Sequence, residues 1–193
     1  NQLAETEKLL AAEKKVTESE LKALKSQMNP HFIFNALNSI QVQFMYGDKL
    51  VANEQLNNFT YLTRQILEVS GKKQIAISDE IDILTKYLEL EKLRFQKDFT
   101  YSISIAENID EDYHKIPPML IQPIVENSLK HGLMHKKGAK TIHVHFDIDQ
   151  NETHIICTVK DNGIGRTKAA EIKAKNNSDH NSFSTSSIIQ RLE

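Results

Sequence analysis

The sequence predicts an α+β chain in which a helical module precedes a mixed unit of helices and strands, and three observations predict it. Residues 1 to 70 hold one glycine, Gly47, and one proline, Pro30, among many Leu, Lys, Glu, Gln and Asn, which is helical composition. Beyond Gly71 the apolar period falls to two over three short stretches, as strands require. At 193 residues the chain is long enough to bury a core without a metal or a disulfide. The predicted division is 1–70 for the helical module and 71–193 for the mixed unit.

Taken in order, Leu3, Leu10, Thr17 and Leu24 recur every seven residues with Leu21 and Met28 as companions, a heptad seam interrupted at Glu7 and Lys14. After Pro30, where a kink is expected, the apolar positions are Ile33, Leu37, Ile40 and Phe44, and the face they define lies opposite His31, Asn35 and Asn38. Gly47-Asp48 breaks this helix. A second helix over about 51–69 carries Leu56, Phe59, Leu62, Ile66 and Val69, so the two form an antiparallel hairpin. Ser78 caps a third helix that runs to about 96. Thr100 to Ile105 alternates as a strand, and Pro117-Pro118 opens a helix to about Leu133. Thr141 to Ile148 and His154 to Val159 form a strand hairpin. Asp161-Asn162-Gly163-Ile164-Gly165 is a turn, residues 166 to 182 are polar and irregular, and a last helix starts near Ser184.

Composition removes several function classes. With 24 Lys+Arg against 26 Asp+Glu the net charge is −2, so the chain lacks the basic face of a direct nucleic-acid binder. One cysteine, Cys157, excludes an internal disulfide and a Cys-based zinc site. No apolar run approaches about 18 residues, and no secretory signal is expected. Because the chain starts with Asn rather than Met, a fragment is expected, with a sensor or membrane segment upstream.

Three clusters carry chemistry. In Met28-Asn29-Pro30-His31-Phe32-Ile33-Phe34-Asn35-Ala36-Leu37-Asn38, a histidine on the polar side of a helix presents an imidazole nitrogen, and the amide of Asn35 one turn on orients the ring. In Ile124-Val125-Glu126-Asn127-Ser128-Leu129-Lys130-His131, helical spacing gathers the Asn127 amide, the Lys130 ammonium and the His131 imidazole. An amide oxygen there suits Mg²⁺ and the cations suit phosphate, while Glu126 at the edge suits a base. The plainer reading of this second cluster is a solvated helix face. In the third, Gly163 and Gly165 let the backbone approach a ligand closely, and Asp161 accepts a hydrogen bond from an exocyclic amine; the plainer reading is a routine turn.

Together these clusters resemble the LytS-type sensor histidine kinases, whose catalytic part is the Bergerat ATP-binding fold. The run Gln27 to Asn35 is similar to that family's phosphoacceptor box. Ile116-Pro117-Pro118-Met119-Leu120-Ile121-Gln122-Pro123-Ile124-Val125-Glu126-Asn127-Ser128-Leu129-Lys130-His131-Gly132 is similar to its N box, and Asp161-x-Gly163-x-Gly165 to its first glycine box. Tyr87-Leu88-Glu89-Leu90-Glu91-Lys92-Leu93-Arg94-Phe95 resembles the connecting helix.

The resemblance implies a helical-hairpin dimerisation and phosphoacceptor module followed by a Bergerat-fold α/β sandwich. It implies ATP and Mg²⁺, with His31 phosphorylated, Asn127 on Mg²⁺, Lys130 on the phosphates with His131 nearby, Asp161 on the adenine amine, and Gly163 and Gly165 in the pocket wall. It also implies a homodimer, a response-regulator receiver domain as phosphate acceptor, and a place in the cytoplasmic part of a bacterial cell-membrane protein. Where many other histidine kinases carry a carboxylate after the histidine, this chain has Phe32, and the substitutes are Glu126 or a water held by Asn35. The second glycine box reads Ser182 to Ile188 without glycine, and the chain ends at Glu193 before the family's final strand. Two rival readings follow: a dimeric nucleotide-binding scaffold without phosphotransfer, and a zinc protein using His131 with His135 or His143 with His145.

Overall fold

The computed structural model describes residues 30–95, 98–151, 153–165, 167–169 and 171. The heptad seam from Leu3 to Met28, most of the polar stretch 166–182, the segment Ser182 to Ile188 and the helix expected from Ser184 lie outside these residues. The described chain is α+β: a helical hairpin, then a small mixed sheet with its helices. It forms two compact units that meet between Gly71 and Lys72.

The first unit is built from α1 (Pro30–Tyr46) and α2 (Lys49–Ser70). Asp48 ends the intervening turn with extended backbone, φ −89° and ψ 120°, and its carboxylate accepts the Leu50 N–H at 2.8 Å. That bond satisfies one orphan donor of the α2 N-terminus. The α2 residues Ala52, Gln55, Leu62, Ile66 and Val69 are buried. On α1 the buried residues are Phe32, Ala36 and Ile40, whereas periodicity predicts Ile33, Leu37, Ile40 and Phe44. Ile33 and Phe44 are only half-buried and Leu37 is exposed. The helix is apolar over more than one stripe, and the stripe centred on the small Ala36 is the one that packs on α2. His31 stays exposed on this phase as well.

The second unit opens with β1 (Ile75–Ala76), which leads directly into α3 (Ile77–Phe95). Next come β2 (Phe99–Ile105), β3 (Lys115–Ile116), α4 (Gln122–Asn127), a π-helical segment Ser128–Leu133, β4 (Lys140–Ile148) and β5 (Ile155–Asp161). Strand β1 pairs antiparallel with β3, Ile75 opposite Ile116. In the main sheet β4 lies between β2 and β5, parallel to the first and antiparallel to the second. Period-two alternation sends Ile142, Val144, Phe146 and Ile148 into the core. Tyr87, Leu84 and Leu88 of α3, Val125 of α4, and Leu129 and Leu133 are buried as well. The β4–β5 turn is tied by Asp149, whose carboxylate accepts the N–H groups of Thr153 and His154 at 2.6 and 2.9 Å. These bonds hold that carboxyl well below the usual carboxylate range.

Two helix starts differ from the sequence expectation. Ser78 does not cap α3; it lies inside the helix and its N–H donates to the Glu111 carbonyl at 3.0 Å. Pro117-Pro118 does not open a helix either, since α4 begins only at Gln122, with Pro123 in its first turn. A residue before proline is pushed to extended backbone, and β3 extends to Ile116 accordingly.

Candidate functional site

In the first unit, His31 stands exposed on α1 and Asn35 Nδ2 donates to its Nδ1 at 3.0 Å. One helical turn brings the pair together, as the spacing predicts. A primary amide serves either way: turned over, it offers Oδ1 to an Nδ1–H and leaves Nε2 with its lone pair.

The other candidates lie in the second unit. Glu126 and Asn127 close α4, half-buried, and Lys130 and His131 are exposed on the π-helical segment. There the Met134 N–H reaches back five residues to the Leu129 carbonyl at 2.9 Å. A π turn takes in nearly one residue more than an α turn, so Lys130 and His131 do not follow ideal α-helical spacing from Asn127. This is a correction to the sequence reading, because π geometry leaves no mark in composition.

Asp161 ends β5, and the glycine turn after it is pressed against Gly132 at the end of the N box. The Ile164 N–H donates to the Gly132 carbonyl at 3.1 Å, and Asp161 Oδ1 accepts the Gly163 N–H at 2.8 Å. A Cβ on Gly163 would sit 2.6 Å from backbone atoms of Gly132, and one on Gly132 would sit 2.9 Å from Asp161 Oδ1. Gly163 has no room for a side chain, because the obstacle is backbone, and a side chain at Gly132 would have to displace the Asp161 carboxylate. Gly165 takes φ +81°, the left-handed region that favours glycine. Asn162 ties the same turn to the start of β4: its Oδ1 accepts the Thr141 N–H at 2.9 Å, and its Nδ2 donates to the Ala139 carbonyl at 3.2 Å. Lys136 Nζ adds a bond to the Asn162 carbonyl at 2.6 Å. The arrangement fixes a carboxylate, Asp161, beside a backbone cradle, with one oxygen engaged by Gly163.

Elsewhere in the second unit, sequence reasoning missed a buried acidic face on α3. Glu80, Tyr87 and Glu91 recur at helical spacing and are 1%, 1% and 5% exposed. Glu91 pairs with Arg94 at 3.5 Å, and Arg94 also donates to Met134 Sδ at 3.2 Å, tying α3 to the end of the N box. Burial raises the Glu91 carboxyl above its ordinary value, Arg94 opposes the rise and Glu126 adds to it. Burial likewise raises the Tyr87 hydroxyl, with Glu91 and Glu126 adding. A glutamate on the apolar stripe of α3 is the one signal in the sequence that could have found this face.

The zinc alternative finds no support. Among the described residues no group of three or more His, Cys, Asp and Glu is gathered. His143 and His145 instead pair with the cross-strand serines Ser102 and Ser104 at 2.6 and 2.8 Å. Among the described residues no helix is long and apolar enough to cross a membrane.

Comparison with known proteins bears on these residues. A family profile described as Histidine kinase matches residues 19–99. The Sensor histidine kinase/phosphatase LytS of Staphylococcus aureus strain MRSA252 is 33% identical over 157 residues, covering 80% of this chain and 26% of the relative. The protein of the same name from strain N315 gives the same identity and coverage. The chain thus spans about a quarter of the length of the curated relatives it matches.

Proposed function

We propose that this chain, which belongs to the LytS-type histidine kinase family, binds ATP in its second unit and transfers the γ-phosphoryl group to His31. The observation that carries the reading is the glycine turn seated on the N box, which presents the Asp161 carboxylate in a cradle that admits no added Cβ. With Oδ1 taken by the Gly163 N–H, Oδ2 serves the exocyclic amine of adenine. Gly163 and Gly165 form the wall of this pocket. Asn127 offers an amide oxygen for Mg²⁺, and Lys130 with His131 offers cationic groups to the phosphates. Bound Mg²⁺ would neutralise charge on the β- and γ-phosphates, and the residues around it supply positioning.

At His31 the bond balance is simple. Nε2 forms the N–P bond, the bond from the γ-phosphorus to its bridging oxygen breaks, and ADP leaves. When Asn35 Oδ1 holds the Nδ1–H, Nε2 attacks with its lone pair, and the phosphorylated ring is a cation that keeps its Nδ1 proton until an acceptor takes it. No carboxylate at position 32 is needed to free Nε2; the Nδ1 proton leaves afterwards to water, His31 being exposed, and Glu126 of the N box remains the candidate base. The phosphoryl group passes next to an aspartate of a response-regulator receiver domain. A homodimer through the helical hairpin completes the reading, supported by the exposed Phe34 and Met45 of α1. The Bergerat sandwich is supported by the mixed sheet and the N-box helix.

The test is incubation with γ-labelled ATP and Mg²⁺. An acid-labile, alkali-stable label that vanishes in His31→Gln, with nucleotide affinity retained, is the expected result. Nucleotide binding without such a label would leave a scaffold that does not transfer phosphate.

A further inference from the structure

We propose that Glu80 is a positioning residue for nucleotide binding: its buried carboxylate clamps the loop that launches the N-box helix and so sets where Asn127 stands. The role rests on the nucleotide reading above and adds to it a residue outside every motif of the site.

Glu80 is 1% exposed, on the first turn of α3. A carboxylate so deeply buried is costly unless its oxygens are hydrogen-bonded. Here Oε2 accepts the Met119 N–H at 2.7 Å and Oε1 the Ile121 N–H at 3.1 Å. The two donors flank Leu120, so one side chain grips both ends of a three-residue turn. Met119 takes φ 54°, the left-handed region, the only such non-glycine among the described residues. Its side chain is buried, which forbids the usual escape to glycine. Such a conformation persists only where the surroundings fix it, and the Glu80 carboxylate, which accepts the Met119 N–H, is one group that fixes it.

What the clamp holds is the base of α4. The Ile121 carbonyl accepts the N–H groups of Ile124 and Val125 at 3.0 and 3.1 Å, so Ile121 is the first peptide of that helix. Asn127 is the last residue of α4, six residues on from Ile121, a rigid distance of roughly 9 Å along a helix. A change at the base therefore moves the amide at the tip. The other side of the clamp is equally fixed. Strand β1 pairs with β3, and the N–H groups of Ile77 and Ser78 donate to the carbonyls of His114 and Glu111, each at 3.0 Å. The start of α3 is thus zipped to the segment that precedes the N box.

The experiment compares the full chain with Glu80→Gln and with Phe146→Leu, a core variant in β4 that calibrates loss of stability alone. Glu80→Gln keeps the shape and puts an NH₂ group against a backbone N–H. Affinity for a non-hydrolysable ATP analogue with Mg²⁺ is measured by titration calorimetry, and amide exchange is followed over 119–127. Expected for Glu80→Gln are a tenfold or greater loss of affinity and faster exchange over that stretch. Phe146→Leu should keep affinity within twofold at a comparable fall in Tm. Wild-type affinity in Glu80→Gln, or an equal loss in Phe146→Leu, overturns the positioning role. A wild-type chain that does not bind the analogue overturns the nucleotide reading and this role with it, and the wild-type arm alone separates that result from the others.

Discussion

Asn35 has an amide where a triad would use a carboxylate, and the consequence is testable at the level of one atom. Nδ1 of His31 is held by this amide at 3.0 Å, so only the orientation with Oδ1 toward Nδ1–H frees Nε2 for attack. Asn35→Ala should slow phosphorylation of His31 by about tenfold to a hundredfold through loss of alignment, while Asn35→Asp, which can only accept, should keep or raise the rate. Equal rates in all three would remove Asn35 from the site. A second single-residue consequence concerns Cys157. Burial pushes its thiol up to about 12, with Glu80 adding. Thiolate is the reactive form, so alkylation of the folded chain at pH 8 should run at least about 100-fold slower than for a free cysteine, whose pKa is about 8.5. Adding urea should restore the normal rate, and fast native labelling would contradict the partial burial of Cys157.

Among the elements, α2 carries a correctable flaw. Gln55 is 7% exposed and its Oε1 accepts no hydrogen bond among the described residues. A buried unpaired carbonyl costs about 1–3 kcal/mol, so Gln55→Leu should raise Tm by a few degrees in a thermal melt. On α3, Glu91 has a folded pKa above its unfolded one, so the native state holds the extra proton and stability rises as pH falls from neutral toward about 4.3. Glu91→Gln lacks this dependence. The stability of the wild type relative to Glu91→Gln should therefore increase on acidification, as urea melts at pH 7 and pH 5 would report.

These elements also mark what the sequence made legible. The hairpin turn at Gly47-Asp48 and the three long strands follow from a cap and from periods that one element suffices to read, and the extent of α3 was legible although its expected cap at Ser78 was not found. The face of α1 was not legible, because Phe32, Ile33, Phe34, Leu37 and Phe44 supply apolar groups all around it and the partner decides which stripe is buried. The late start of α4 was hidden for a related reason: the clamp on Met119 and Ile121 comes from a side chain about forty residues away. At the site, Asp161 and its glycines were visible as a turn, and the Gly132 contact that gives the turn its purpose was not.

For the whole molecule, large apolar residues remain exposed on the hairpin: Phe34 at 67% and Met45 at 63% on one side of α1. Such a stripe marks an interaction surface. If the proposed homodimer forms through this stripe, the double variant Phe34→Glu, Met45→Glu should sediment as a monomer in analytical ultracentrifugation without loss of helix content, and an unchanged sedimentation coefficient would exclude the stripe as its contact. The sheet has a further implication, for the order of events during synthesis. Strand β2 finds its parallel partner only in β4, so residues 106–139, with the whole N box, form a loop between the two. Closing a loop of that length is entropically slow, and until residue 148 has left the ribosome the N box has no sheet to settle on. The hairpin of the first unit needs only local contacts and is complete long before. A nascent chain of this protein therefore exposes His31, the proposed phosphate acceptor, in a folded helix before the unit with the proposed nucleotide site has formed.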